Sequence, residues 1–160
     1  MIPTHFISPA IGKVTLAQMM ESIQSYIEAE PKAQYNIIIG TDSLYSEKAT
    51  SFVTAIIVHR LGKGARYFYH RDTEWVGPSL RQRIFLEASR SLAVGGAVMN
   101  YLGKTDHADL SIEIHLDIGT NGDTKDLIRE VVGMVVGSGF DARIKPDSFG
   151  ASKVADRFTR

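Results

Sequence analysis

The strongest constraint on this chain is a change of rhythm partway along it. Three β-prone segments follow one another with short connections: Asn36 to Asp42 (NIIIGTD), Ser51 to Arg60 (SFVTAIIVHR) and Ala65 to Arg71. Their β-branched and aromatic residues suit a pleated surface. Leu61-Gly62-Lys63-Gly64 forms the turn between the second and third. Connections this short bring the chain back beside itself, which predicts an antiparallel meander. After Pro78 the rhythm becomes alternating. Leu80, Ile84, Ala88, Ser91, Gly95, Val98 and Leu102 fall near one face of a long helix, and Ser111 to Ile118 (SIEIHLDI) alternates strictly. Leu127, Ile128, Val131, Val132 and Val135 mark a further helix, capped by Asp123 or Thr124, before a fifth strand from Phe140 to Lys145. Two strands separated by a helix pair in parallel through a right-handed crossover. The expected fold is therefore α/β: a five-stranded mixed sheet, strands one to three a meander, strands four and five parallel, with flanking helices. An added helix precedes it, opened by Thr15 and Gln18 in a capping box and stopped by Pro31. A terminal helix begins at Ser148 or Phe149 and carries Val154, Ala155 and Phe158.

Length and composition narrow the function classes. A chain of 160 residues suits one domain, residues 1–160, and 44% hydrophobic with 22% charged residues excludes a disordered or low-complexity chain. Without cysteine there is no disulfide, thiolate zinc site or cysteine nucleophile. No apolar run approaches the roughly 18 residues that a membrane span requires, and Met1 to Gly12 has no secretory pattern. A cytoplasmic protein is expected. The net charge is zero but uneven, with seven bases and three acids between residues 60 and 90 and four bases and eight acids between 91 and 144. Neutrality argues against a tight nucleic-acid binder resistant to salt. A basic surface beside an acidic pocket would suit a metal site acting on an anion.

The informative acids occupy positions that ought to be apolar. Asp42 ends the run Ile37-Ile38-Ile39-Gly40-Thr41-Asp42, where it either caps a turn or serves a site. Asp117 shares with Glu113 and His115 the face opposite Ile112, Ile114, Leu116 and Ile118. If that face is covered, the three must pair, bind a metal or shift their pKa values. Glu87 borders the apolar stripe of the long helix, and its alternative is a pair with Arg83 or Arg90. Asp156 lies in the terminal helix, where a surface pair with Lys153 or Arg160 competes with a site role. Asp147 suits a helix N-cap or turn. If strands one and four pair in parallel, Asp42 and Asp117 become neighbours. Clustered carboxylates do not all stay ionised without a cation. Oxygen ligands select Mg²⁺ or Mn²⁺, and two such ions about 3.5–4 Å apart can activate water and stabilise a leaving oxygen.

The chain resembles the YkuK-like branch of the RNase H-related proteins. The resemblance rests on Ile39-Gly40-Thr41-Asp42-Ser43, Gly62-Lys63-Gly64, Glu113-Ile114-His115-Leu116-Asp117-Ile118-Gly119, Lys145-Pro146-Asp147-Ser148 and Ala151-Ser152-Lys153-Val154-Ala155-Asp156-Arg157. It implies an RNase H-like fold with helices on both sides of the sheet. It also implies metal-dependent cleavage of nucleic-acid phosphodiesters (RNA, DNA or a hybrid), with Asp42, Glu87, Asp117 and Asp156 as catalytic metal ligands. Two alternatives accompany this reading: a catalytically inactive module that binds nucleic acid or a protein, and a phosphohydrolase of small phosphate esters. Other motifs carry less. Gly119 to Lys125 lacks P-loop spacing, and the Gly133 and Gly137 pair suits close packing. Tyr67, Phe68 and Tyr69 fit packing or base stacking, and the loop from Asp72 to Ser79 with Trp75 could border a groove. His5, His59, His70 and His107 lack metal-ligand spacing, and His115 fits either a proton carrier or a structural role.

Overall fold

A computed structural model describes residues 2–119, 125–145, 147 and 148. The chain opens with two short strands, β1 (His5–Ser8) and β2 (Gly12–Thr15), paired as an antiparallel hairpin. Ser8 Oγ accepts the amides of Ala10 and Ile11 in the turn, and Gly12 adopts φ +84°, where a side chain would be strained. Thr15 then caps α1 (Leu16–Ala29): its hydroxyl accepts from the Gln18 amide at 3.1 Å while the Gln18 side chain accepts from the Thr15 amide at 2.8 Å. The meander is β3 (Tyr35–Leu44), β4 (Thr50–Arg60) and β5 (Ala65–Glu74). It is followed by α2 (Leu80–Leu102), β6 (Ser111–His115), α3 (Lys125–Gly137) and β7 (Asp141–Arg143).

These strands form one sheet in the order β2-β1-β5-β4-β3-β6-β7. The pairs β3–β4 and β4–β5 are antiparallel, whereas β3–β6 and β6–β7 are parallel. The expected five strands are the stretch from β5 to β7, with the meander and the parallel crossover as anticipated. The sheet nevertheless has seven strands, because the N-terminal hairpin adds to the free edge of β5 through Ile7 and Tyr69. Four-residue strands show too little alternation to register in the sequence. The fourth strand was expected to reach Ile118; its ladder stops at His115, while Leu116 and Ile118 stay beside the end of β7 through Leu116 N to Arg143 O and Ile118 O to Lys145 N. The terminal helix lies outside the described residues.

One face of the sheet holds the core. Ile37, Ile39, Ile56, Val58, Phe68, Ile112 and Ile114 alternate along their strands and meet Met19, Met20 and Ile23 of α1, Ala88, Val94 and Val98 of α2, and Val131 and Val135 of α3. All three described helices therefore cover the same face. Each fully buried branched side chain contributes roughly 1.5–3 kcal/mol. Close approach of α2 depends on Gly95, where a Cβ would stand 3.2 Å from the Phe140 ring and 3.4 Å from Ile114 Cδ1. Leu80, expected on the buried stripe, is instead 46% exposed at the start of α2. On the opposite face Val53 and Ala55 are buried, with Tyr69 packed against them.

Candidate active site

Parallel pairing of β3 with β6 sets Ile39 beside Ile114 and Gly40 beside His115. Asp42 lies two residues beyond Gly40 in β3 and Asp117 two residues beyond His115, the last residue of β6, so both acids are carried at the same end of the paired strands. α2 crosses above β3, and hydroxyls hold the crossing: Thr41 Oγ1 lies 2.8 Å from Ser91 Oγ and 3.0 Å from Thr54 Oγ1. One helical turn before Ser91 and two residues along β3, Ser43 Oγ donates to Glu87 Oε2 at 2.5 Å. The i, i+4 spacing of the helix thus matches the i, i+2 spacing of the strand.

Electrostatics ties the three acids together. Burial pushes the Glu87 carboxyl up to about 8 from an ordinary value of 4.5. The bond from Ser43 opposes this rise, the negative charges of Asp42 and Asp117 add to it, and Arg83 offsets part of it. Lys145, next to the end of β7, places Nζ 2.9 Å from Asp117 Oδ1. That bond and the charge of Asp117 raise the lysine's affinity for its proton, and Asp42 and Glu87 contribute as well. Three carboxylates from β3, α2 and the end of β6 therefore share one neighbourhood with two cations, Arg83 and Lys145.

The remaining expected groups divide. Asp156 lies outside the described residues. Arg90 is no partner of Glu87: it forms ion pairs with Asp72 at 2.7 Å and Glu74 at 2.9 Å and stacks 3.7 Å from the Phe52 ring centre. Arg83 acts on Glu87 only through its field, and its guanidinium sits 5.8 Å from the Tyr45 ring centre. The Glu113-His115-Asp117 row splits into two functions. Burial alone would raise Glu113. Hydrogen bonds from His115 Nε2 (3.1 Å) and Asn36 Nδ2 (2.9 Å), with the charge of Arg143, outweigh it and hold the carboxyl below its usual range. Glu113 thus belongs to a structural network, and His115 is buried beside it, its Nδ1 without a hydrogen-bond partner among the described residues. Asp147 sits in a turn, its amide bonded to Ile144 O at 2.8 Å. Phe68 and Tyr69 serve packing. Ser43 and Lys145 stood inside the recognisable motifs, but no spacing rule pointed them at Glu87 and Asp117.

Among the described residues no three histidine, aspartate or glutamate side chains come together closely enough to hold one ion. The chemistry of the donors nevertheless fits a hard divalent cation: all are carboxylate oxygens, and a carboxyl kept neutral by burial and two adjacent negative charges is one that a cation would ionise.

A mixed sheet of this order, with a parallel crossover from β3 to β6 and α2 packed above β3, fits one class of fold. The chain belongs to the family described as Ribonuclease H-like, which matches residues 18–160. More particularly it stands with the YkuK branch: it is 37% identical over 160 residues to the uncharacterized protein YkuK of Bacillus subtilis (strain 168), covering 93% of each chain. No solved structure matches it. No helix among the described residues is long and apolar enough to cross a membrane.

Proposed function

We propose that this chain is a cytoplasmic nuclease that hydrolyses nucleic-acid phosphodiesters with Mg²⁺ or Mn²⁺, at a site formed by Asp42, Glu87 and Asp117 and completed by Asp156. The observation that carries the reading is the convergence of Asp42 and Asp117 on Glu87, strong enough to help push its carboxyl up to about 8. Two divalent ions held there would supply the positive charge that activates water and stabilises the leaving oxygen. The chain's own residues do the rest. Asp42 and Asp117 offer carboxylate oxygens at the ends of rigid strands, and Ser43 fixes the Glu87 carboxyl. Lys145 neutralises Asp117 in the ion-free chain, and Arg83 adds positive charge on the helix side, where an anionic substrate would approach.

The test is cleavage of labelled RNA and DNA oligonucleotides with Mn²⁺ by the parent chain and by Asp42→Asn. The variant should lose activity and keep its thermal midpoint; an undiminished rate would remove the proposal. A net charge of zero, unusual in a nucleic-acid enzyme that grips its substrate by charge, favours a second reading, a non-catalytic module. Calorimetric titration with Mn²⁺ separates the two: binding weaker than millimolar and indifferent to Asp117→Asn supports the module. Hydrolysis of a mononucleotide without attack on polynucleotides would instead identify a small-ester phosphohydrolase.

A further inference from the structure

Four large apolar side chains are exposed at one end of the sheet: Leu44 (50%), Tyr45 (37%), Trp75 (72%) and Leu80 (46%). Their placement follows from topology. β3 and β5 both run antiparallel to β4, so their C-terminal ends lie together; Leu44 pairs with Ser51, which pairs with Thr73. Tyr45 follows the last residue of β3, Trp75 follows the last residue of β5, and Leu80 opens α2. This is also the end that carries Asp42.

Packing does not account for Trp75. The loop after β5 anchors itself through the next residue, Val76, which is 2% exposed, and leaves the indole in solvent. Tyr45 carries the Arg83 guanidinium 5.8 Å from its ring centre. Arg83 Nε has no hydrogen-bond partner among the described residues, and the arginine's charge reaches Glu87. The rim therefore carries aromatic rings and a cation whose charge reaches the Glu87 carboxyl.

Distances follow from sheet geometry. Asp42 pairs with Val53 and Val53 with Arg71, and Trp75 lies four residues beyond Arg71. At about 3.3 Å per residue and about 4.8 Å between strands, the last residues of β3 and β5, Leu44 and Glu74, stand roughly 10 Å apart, and Tyr45 and Trp75 each follow by one residue. That separation is within reach of a few nucleotides of one strand.

We propose that this rim binds unpaired nucleotides, with bases stacked on Trp75 and Tyr45, Arg83 meeting phosphate, and the strand led towards the carboxylates. The proposal rests on the nuclease reading and deepens it by naming single strands as the substrate class. Stacking requires a free base face, which duplexes bury except at their ends. Electrostatic attraction to a duplex backbone would need a surplus of basic residues, and this chain has a net charge of zero. Aromatic stacking compensates for that deficit only where bases are unpaired.

Trp75 is the sole tryptophan, so intrinsic fluorescence reports this position alone. The full chain is titrated in EDTA with single-stranded RNA and DNA octanucleotides and with a blunt duplex of equal length. Single strands should quench the emission and bind more tightly than the duplex. By anisotropy of a labelled strand, Trp75→Ala should weaken binding by about five- to hundredfold, and Trp75→Phe should restore part of it. Equal affinity for the duplex, or an unchanged affinity in Trp75→Ala, would overturn the proposal. So would loss of a dimer in Trp75→Ala on sedimentation with nucleotide binding intact, which would assign the rim to a second copy of the chain. Strand binding without cleavage under Mn²⁺ defeats the nuclease reading and leaves the platform standing. Cleavage of duplexes unaffected by Trp75→Ala does the reverse.

Discussion

Removal of the Lys145 ammonium tests the electrostatic reading of the site most directly. Lys145 Nζ lies 2.9 Å from Asp117 Oδ1, so a divalent ion that takes this oxygen must displace the lysine and then remain near its charge. The side chains are 58% and 32% exposed, which places the pair among screened ion pairs worth about 0–1 kcal/mol. Repulsion between charges of +2 and +1 about 5 Å apart in water adds roughly 1.5 kcal/mol, and the lysine relieves part of it by swinging outward. A net gain of about 1 kcal/mol follows for Lys145→Gln, so Mn²⁺ should bind roughly fivefold more tightly. Calorimetry at low ionic strength measures this, with the difference shrinking in 1 M salt, where the Debye length is about 3 Å. Unchanged or weaker Mn²⁺ binding in Lys145→Gln would refute the argument that the ammonium and the metal compete for Asp117.

Other consequences concern pH and packing. In the ion-free chain, the raised carboxyl of Glu87 means that the folded state holds a proton that the unfolded state releases, so stability falls as pH rises from about 4.5 to about 8. Glu87→Gln should flatten that slope in urea denaturation across the range. Glu113 has the opposite sign: its lowered carboxyl contributes stability above the ordinary carboxylate range, and that contribution is lost as pH falls through its depressed value. Glu113→Gln should therefore lower stability at pH 7 and reduce the loss on acidification, as followed by circular dichroism. Within α2, Gly96→Ala meets no atom within 4 Å and should stabilise by about 0.5–1 kcal/mol. Gly95→Val pushes into Phe140 and Ile114 and should cost about 1–3 kcal/mol, both by chemical denaturation.

Much of the fold was legible because its signals are local. The NIIIGTD and SIEIHLDI segments declare strands by period and composition, Thr15 and Gln18 declare a helix start, and a helix between strands leaves parallel pairing as the solution. Asp42 and Asp117 stand out as acids at the ends of apolar runs, and pairing of β3 with β6 carries both to the same end of the sheet. Glu113 and His115 stood out on the same grounds but joined a network with Asn36 and Arg143. Alternation identifies a face; it does not identify what that face meets. The N-terminal hairpin is not legible in the sequence because its four-residue strands carry little alternation and β1 joins the sheet only at β5, some sixty residues later.

What this amino-acid order determines unaided is the succession of elements, the direction in which strands pair and the presence of acids where oil belongs, since each depends on neighbours within a turn or a strand. Tertiary structure alone decides which cation accompanies which acid. Lys145 reaches Asp117 because the end of β7 runs beside Ile118, and Ser43 reaches Glu87 because α2 crosses β3 at the hydroxyls of Thr41 and Ser91. Those meetings join positions dozens of residues apart, and no local rule carries the register and crossing angle that create them.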